Sequence, residues 1–357
     1  MRVAITLEQC WHEVPGGTAR AALDTIDAVR ARGGVDQVGV SAWHRAAAPA
    51  DWRPSIHVRA LPLPRNLLYD AWQRLRRPHV ERATGPVDVV HATAHVASAS
   101  RAPWVATIHD LHFLHEPSHF TARGVSVFER FLGLVRDEAA AVVCPSEATR
   151  ADCVEAGIDA PRLRVVPWGT AATPAPTPAV EAVRRRHRLD RPFVLFAGTV
   201  EPRKNLGRLV EAFERLGPVD AELVLVGSEG WADLPEGAGR HLGFVPRWEL
   251  EALYAAAAVV CYPSIREGFG LPVLEAMAQG AAVVTSSTTA TAEVVGAAGV
   301  LVDPLDVDAI ASALGDLLAD GDRRSALGRA ATERAAEFTW ARTAEGMVAV
   351  YEAAAAG

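Results

Sequence analysis

Short apolar runs alternate with longer stretches rich in alanine, leucine and arginine along the chain. In the first half, runs of β-branched and other apolar residues predict strands at 2–7, 37–42, 56–60, 87–91, 105–109 and 141–145. The stretches between them predict helices, among them 19–32 and 67–84. Continuous apolar strands separated by helices are typical of a parallel sheet that is covered on both faces.

The alternation stops near residue 167 and begins again near residue 192. Residues 171–179 contain three prolines, which favour extended chain, and a charged stretch follows at 180–191. Beyond it the pattern predicts strands at 193–197, 222–226, 241–244, 259–262 and 282–285, and helices at 206–216, 247–257 and 272–279. We therefore predict an α/β protein of two doubly wound parallel-sheet domains, with the ligand site at the carboxyl ends of the strands, in a cleft between the domains.

Composition supports a globular protein and excludes several classes. With 357 residues, 50% apolar and 22% charged, the chain is long enough for two cores. The net charge of -7 argues against a nucleic-acid partner, which requires a basic surface. No apolar run approaches the roughly 18 residues of a membrane-spanning helix. The four cysteines are dispersed, so we expect no dense disulfide framework and a reducing, cytoplasmic environment.

The segment 198–205 (GTVEPRKN) lies between a predicted strand and a predicted helix. A helix start with glycine nearby favours an anion, and Arg203 and Lys204 add two cations. Lys204 is the only lysine among 36 basic residues. The segment therefore indicates an anion site, although a solvated turn with two surface cations is the alternative.

A second segment, 267–275 (EGFGLPVLE), follows the predicted strand 259–262. Gly268 and Gly270 allow backbone amides to approach a ligand closely. Two carboxylates, Glu267 and Glu275, flank the predicted helix start, and carboxylates of this kind suit hydroxyl-rich partners such as a sugar and a ribose. The alternative is a helix start with acidic residues that complement the helix dipole.

Several motifs occur in the order typical of one enzyme family. Around the E-x7-E pattern of Glu267 and Glu275, the second half contains 198–205 (GTVEPRKN), 243–245 (GFV), 262–264 (YPS), 275–278 (EAMA) and 301–304 (LVDP). Weaker matches in the first half are 16–17 (GG), 107–111 (TIHDL), 145–147 (PSE) and 166–169 (VPWG). Together they resemble the retaining glycosyltransferases of family 4, which have the GT-B fold.

The resemblance implies a role for each matching position. Arg203 and Lys204 would hold the donor diphosphate, with the Gly198 loop beside it, and Thr199 stands where some members have arginine. The amides of Gly268, Phe269, Gly270 and Leu271 would contact donor sugar and phosphate, Glu267 the sugar hydroxyls, and Glu275 the ribose. Phe244 and Val245 would border the nucleobase, His109 would lie against the transferred sugar, and Gly17 would approach the phosphates.

The same resemblance implies a domain plan and a set of partners. We expect an acceptor-side domain at 1–170, a proline-rich linker at 171–191, a donor-nucleotide domain at 192–338, and a C-terminal helix at 339–357 that returns to the first domain. The donor would be a nucleotide diphosphate sugar, with GDP-mannose as the first hypothesis, and the acceptor a glycan or a lipid-linked hydroxyl compound. No cofactor and no metal are expected.

Two regions leave alternatives open. Six of the twelve histidines lie between His91 and His119, and His109, His112 and His115 could suggest a metal site, but they lack the paired glutamate of a HExxH motif. The predicted helix at 65–82 combines arginines with apolar residues, so it would either pack on its own sheet, which we favour, or lie on an anionic membrane at the cytoplasmic face.

Other functions share this fold. A PLP-dependent phosphorylase needs a lysine for its Schiff base, but the single Lys204 belongs to the phosphate segment. A nucleotide-sugar epimerase of the GT-B fold and a non-catalytic sugar-nucleotide binder remain as alternatives to a retaining hexosyltransferase.

Overall fold

A computed structural model describes residues 1–13, 15–171, 173–228, 230, 234 and 237–357. It divides into two compact units. Unit 1 comprises Met1–Gly169 and Trp340–Gly357, and unit 2 comprises Thr170–Thr339. None of the described helices is both long and apolar enough to span a membrane.

Within the described residues, seven parallel strands form the sheet of unit 1. They are β1 (Arg2–Thr6), β2 (Asp36–Ser41), β3 (Val58–Ala60), β4 (Val89–Ala92), β5 (Trp104–Thr107), β6 (Ala141–Cys144) and β7 (Leu163–Val165). Their order is β3-β2-β1-β4-β5-β6-β7, so the direction of winding reverses between β1 and β4. Ile5 of β1 is paired with Gly39 of β2 on one side and with His91 of β4 on the other.

Helices cover both faces of this sheet, and its central strands β1, β4, β5 and β6 are therefore buried almost throughout. They are α1 (Gly16–Arg32), α2 (Arg65–Leu75), α3 (Glu81–Thr84), α4 (His112–His115), α5 (Ala122–Glu138), α6 (Glu147–Glu155) and α14 (Trp340–Ala356). The last of these packs along α1 and buries Met347 and Tyr351. Gly346 permits close packing on the unit, because a Cβ there would lie 3.0 Å from the Val166 side chain.

The single helix predicted at 67–84 is wrong, because the chain forms two helices there. Arg76 closes α2 in the left-handed region at φ 49°, and α3 begins only at Glu81. Pro78 explains the break: it has no backbone N–H to donate, and it disfavours helical geometry at Arg77.

In the described part of unit 2, six parallel strands form the sheet. They are β8 (Phe193–Ala197), β9 (Glu222–Val226), β10 (Arg240–His241), β11 (Val259–Tyr262), β12 (Val283–Ser286) and β13 (Val300–Val302), in the order β10-β9-β8-β11-β12-β13. The strand predicted at 241–244 is shorter than expected, since Gly243 turns the chain at φ 71°.

The helices of unit 2 are α7 (Thr177–His187), α8 (Leu206–Arg215), α9 (Arg247–Ala256), α10 (Leu271–Ala278), α11 (Ala290–Val295), α12 (Val307–Ala319) and α13 (Gly321–Ala335). We predicted a proline-rich linker at 171–191 with extended chain at 171–179, and the structure differs at the end of that extended stretch, because α7 already begins at Thr177. Pro178 lies in the first turn, where a missing N–H removes no helical hydrogen bond. Val183 is buried, and Arg184 Nη2 donates to the carbonyl of Ala256 at 2.7 Å, so α7 is packed onto unit 2.

Candidate active site

The winding of unit 2 reverses between β8 and β11, which are neighbours in the sheet. The loop 198–205 connects β8 to α8, and the loop 263–270 connects β11 to α10. Ligands of doubly wound sheets bind at such a reversal, outside the carboxyl ends of the strands. Both helix starts present backbone amides that favour an anion. The fold thus brings together the two segments that the sequence singled out.

Hydrogen bonds hold these two loops in place. Asn205 adopts a left-handed conformation at φ 61° directly before α8. Its Nδ2 donates to the carbonyl oxygens of Pro263, at 2.9 Å, and Pro304, at 2.6 Å. The amide of Ile265 donates to the carbonyl of Arg203 at 2.8 Å. Because these bonds join separate loops, this edge of the sheet is preorganised.

Arg203, Lys204, Glu201 and Glu267 form what we call the ionic cluster. Lys204 Nζ lies 2.5 Å from Glu267 Oε1 and also donates to the hydroxyl of Tyr262. Arg203 Nη1 lies 2.9 Å from the same Glu267 oxygen, and its Nε lies 2.8 Å from Glu201 Oε2. Two cations and two carboxylates, none with a side chain more than 20% exposed, therefore share one site, and their formal charges cancel.

Burial shifts the protonation equilibria in this cluster. The pKa of the Lys204 ammonium is lowered, first by desolvation and then by the charge of Arg203, while Glu267 and Glu201 oppose that change. The pKa of the Tyr262 hydroxyl is raised well above its ordinary value, mainly by burial and secondly by Glu267. Tyr262 therefore stays a neutral hydroxyl that accepts a hydrogen bond from Lys204.

The four residues Gly268, Phe269, Gly270 and Leu271 lead into α10. Gly270 has φ 99°, and a Cβ there would lie 2.6 Å from Thr291 Cγ2, so both its conformation and its surroundings require glycine. Phe269 is buried, which leaves its backbone rather than its ring for a ligand, and Gly268 is buried as well. Leu271 is the first residue of the helix.

The two glutamates of the E-x7-E pattern have different surroundings. Glu267 precedes α10, and its side chain is 8% exposed in the ionic cluster. Glu275 lies in the second turn of α10 and is half-buried. Its charge adds to the burial that raises the pKa of the Tyr254 hydroxyl.

The remaining positions of unit 2 for which the sequence predicted contact with a donor fall into two groups. Gly198 and Thr199 directly follow β8, and Gly227 comes so close that a Cβ on it would lie 2.1 Å from the Gly198 carbonyl oxygen. Phe244 and Val245 lie beyond β10 and differ sharply, since Phe244 is 60% exposed whereas Val245 is buried. Of these two, Phe244 is the side chain available to a planar ligand.

His109 belongs to unit 1 and lies two residues after the end of β5. Its Nε2 donates to the carbonyl of Thr93 at 3.0 Å, so in the neutral ring Nδ1 carries the lone pair. Its pKa is lowered to about 4, mainly by burial and secondly by His95, so the ring is neutral near pH 7. Gly17 lies in the first turn of α1, and there is open space where its Cβ would be.

The other histidines of the 91–119 region make separate contacts. His112 Nε2 lies 2.9 Å from His119 Nδ1, His115 lies 4.0 Å from Asp152, and the His95 ring packs edge-on against Phe131. Across the described ranges, no three histidine, cysteine or carboxylate side chains are grouped as metal ligands would be.

The sequence analysis assigned no role to Glu201 of the ionic cluster or to Tyr262 and Asn205, which contact the cluster or its loops. Glu201 pairs with Arg203, Tyr262 accepts from Lys204, and Asn205 joins the loops. All three lie within motifs that were singled out. The partners of Tyr262 and Asn205 are 58 to 99 residues away in the sequence, and the contact of Glu201 with Arg203 depends on the loop conformation. Residue spacing alone therefore does not predict these contacts.

Two doubly wound parallel-sheet units of this kind have the GT-B fold of solved glycosyltransferases. The family model "Glycosyltransferase Family 4" matches residues 15–173, and "Glycosyl transferases group 1" matches residues 180–334. The chain belongs to glycosyltransferase family 4.

Similar proteins include two bacterial glycosyltransferases. O-antigen chain mannosyltransferase B of Escherichia coli is 33% identical over 255 residues, which are 66% of this chain and 66% of that protein. D-inositol 3-phosphate glycosyltransferase of Xylanimonas cellulosilytica is 33% identical over 311 residues, 77% of this chain and 74% of that protein. The crystal structure of Anabaena HepE with UDP-glucose has the same fold, with a TM-score of 0.78, 18% identity and 98% of both chains covered.

Proposed function

We propose that the protein transfers a hexose, with mannose as the first candidate, from a nucleotide diphosphate sugar to a hydroxyl of a glycan or glycolipid, with retention of configuration. The observation that carries this proposal is the ionic cluster at the reversal of the unit 2 sheet, beside two helix starts. The mannosyltransferase among the relatives supports the choice of sugar.

Arg203 and Lys204 would act on the leaving group. Negative charge grows on the diphosphate as the bond to the sugar breaks, and fixed cations in a buried site stabilise that charge. The arginine offers a planar fork and the lysine a point charge, so the two can contact different phosphate oxygens. We propose that these two side chains, together with the backbone amides of the two helix starts, hold the diphosphate without a metal ion or another cofactor.

Glu267 would contribute by its position rather than by covalent attack. Its carboxylate is ion-paired with both cations, while a carboxylate has lone pairs for further bonds from sugar hydroxyls. We therefore propose that the acceptor oxygen attacks the anomeric carbon on the face that the leaving group departs from. The bond from that carbon to the phosphate oxygen breaks, and the acceptor proton passes to the departing phosphate. His109 would contact the transferred sugar as a neutral ring.

Substituting the two glutamates should separate ribose binding from sugar binding. Glu275→Gln should weaken binding of GDP by about 1 kcal/mol or more, because a charge-assisted hydrogen bond to the ribose is lost. Glu267→Gln should bind GDP at least as tightly as the wild type, since Arg203 and Lys204 lose a competing carboxylate, yet it should bind GDP-mannose more weakly. Calorimetry with both ligands measures this.

Glu211→Gln is the matched control, because Glu211 is an exposed glutamate of α8 that pairs with Arg215. It should leave both affinities unchanged. If Glu267→Gln and Glu275→Gln weaken GDP equally, the two residues do not divide their roles as proposed.

A donor and acceptor assay decides between the candidate functions. Thermal shift with GDP-, UDP-, TDP- and ADP-sugars identifies the donor, and product analysis follows with and without a sugar acceptor. Transfer with retained configuration supports the proposal. Epimerised nucleotide sugar without an acceptor would indicate an epimerase, and binding without turnover would indicate a non-catalytic binder.

We also propose a peripheral contact between α2 and an anionic membrane. The helix buries part of its apolar stripe, but Leu67 is 57% exposed and Leu75 is 71% exposed, with exposed Arg74 and Arg77 nearby. Co-sedimentation with phosphatidylglycerol vesicles should fall at least threefold for Leu67→Ser/Leu75→Ser. Leu305→Ser, at an equally exposed leucine of unit 2, is the control. Equal sedimentation of all variants would contradict the proposal.

A further inference from the structure

His91 is a buried histidine near the carboxyl end of β4 that forms a hydrogen bond through each of its two ring nitrogens. Its Nδ1 lies 2.8 Å from the hydroxyl of Tyr351 on α14, and its Nε2 lies 2.7 Å from the hydroxyl of Thr107 on β5. All three side chains are buried. A neutral imidazole has one donor and one acceptor nitrogen, so one hydroxyl must donate to the ring and the other must accept from it. The three groups therefore form one directional chain of hydrogen bonds.

This chain adjoins the bond that orients His109. Thr93 lies two residues beyond His91, His109 lies two residues beyond Thr107, and His109 Nε2 donates to the Thr93 carbonyl at 3.0 Å. The ends of β4 and β5 are thus joined twice, once through His91 and once through His109. Thr93 is held from a third element as well, because Gln9 Nε2 donates to its hydroxyl at 2.7 Å.

The space enclosed by these residues is too small for a substrate. A cavity of about 10 Å³ is lined by His91, Thr107, His109, Tyr351 and neighbouring apolar side chains. That volume is of the order of a single water molecule. Because His91, Thr107 and Tyr351 are also buried, we infer that this chain acts through the geometry of the strand ends and not by contact with a sugar.

We propose that Tyr351, acting through His91 and Thr107, is a positioning residue for His109, so that the C-terminal helix sets the orientation of this imidazole. The proposal rests on the function proposed above for His109. The phenol of α14 fixes the His91 ring, the ring fixes Thr107, and the two strand ends then hold the Thr93 carbonyl at the distance that His109 Nε2 requires. The His109 ring, held in this way, keeps a single tautomer and a single orientation.

Tyr351→Phe tests the proposal, because it removes one hydroxyl and leaves the packing of the ring. Turnover of GDP-mannose, measured as GDP release with methyl α-mannoside as acceptor, should show kcat lowered about tenfold and KM for GDP-mannose changed less than twofold. Thr107→Val breaks the other bond to His91 and should have a similar effect. The double variant should lose no more than the stronger single variant, since both break one chain.

Ser98→Ala is the matched control, because Ser98 is a buried serine of unit 1 whose hydroxyl has no hydrogen-bond partner among the described residues. It should leave kcat and KM unchanged. A Tyr351→Phe enzyme with wild-type kcat would overturn the proposal, and so would a kcat loss that Ser98→Ala reproduces.

A second measurement is independent of activity. In proton NMR the His109 Nε2–H signal should exchange with solvent at least fivefold faster in Tyr351→Phe than in the wild type or Ser98→Ala. Unchanged exchange would overturn the positioning role even if the enzyme is active. Conversely, a wild-type protein that turns over no nucleotide sugar would refute the proposed function, while faster exchange in Tyr351→Phe would still support the structural link.

Discussion

Lys204→Met is expected to lower GDP affinity by roughly 10- to 150-fold and turnover by at least as much. Lys204 would contribute a charge-assisted hydrogen bond to the diphosphate, and such bonds are worth about 1.5–3 kcal/mol. The structure adds a second loss, since Lys204 also holds Glu267 and the Tyr262 hydroxyl. Methionine has a similar shape and no charge, so the effect reports the ammonium rather than the stem. Calorimetry with GDP and initial rates with GDP-mannose measure the two losses.

The variant will also lose stability, and this loss has to be separated from the loss of binding. Without Lys204 the cluster retains one cation and two carboxylates, and an unbalanced buried charge is costly. Lys204→Met/Glu267→Gln restores the balance and should recover part of the lost thermal stability without recovering GDP affinity. If GDP binds the single variant as tightly as it binds the wild type, Lys204 does not contact the diphosphate.

Gly270→Ala should destabilise unit 2 by about 2–4 kcal/mol and abolish donor binding. Alanine at φ 99° is strained, which costs about 1–3 kcal/mol, and its Cβ would lie 2.6 Å from Thr291 Cγ2. The strain acts at the start of α10, where the backbone amides are proposed to meet the donor. Denaturant unfolding followed by GDP calorimetry measures both effects.

Two further variants dissect this result. Gly270→Ala/Thr291→Ser removes the clashing methyl group but keeps the hydroxyl that bonds Thr285, so it should recover the steric part of the loss and leave the strain. Gly207→Ala is the control, because it lies in α8 with nothing near its Cβ position, and it should be neutral or stabilising by about 0.5–1 kcal/mol. A Gly270→Ala protein as stable as the wild type would show that the helix start tolerates a side chain.

The hydrophobic pattern was sufficient to predict the strands that are buried on both faces, because a continuous apolar run such as 193–197 is typical of such a strand. It was insufficient where local stereochemistry overrides the pattern. Pro78 breaks an amphipathic stretch, and Pro178 begins a helix in a segment whose prolines favour extended chain. The short strands β7 and β13 were not predicted, whereas the equally short β3 lies within the predicted strand 56–60.

The candidate site was likewise predicted only in part. Residue type and spacing located both loops, and the fold places them beside each other at one sheet edge. Their partners could not be inferred, because the bond between Lys204 and Tyr262, and that between Asn205 and Pro304, join positions far apart in the chain. The burial of Lys204 and Glu267 in the ionic cluster is likewise a property of the packed unit, not of the motif.

The C-terminal helix α14 has a consequence for how the protein is made. Unit 1 needs α14, yet the whole of unit 2 is translated between the two parts. At about 5–20 residues per second, ribosomes need roughly ten to thirty seconds for that interval. During this time the surface of α1 that α14 will cover is exposed, and the hydrogen bond between His91 and Tyr351 cannot form. The nascent first unit therefore lacks one of its helices until the end of translation, and unit 2 can fold before unit 1 is complete.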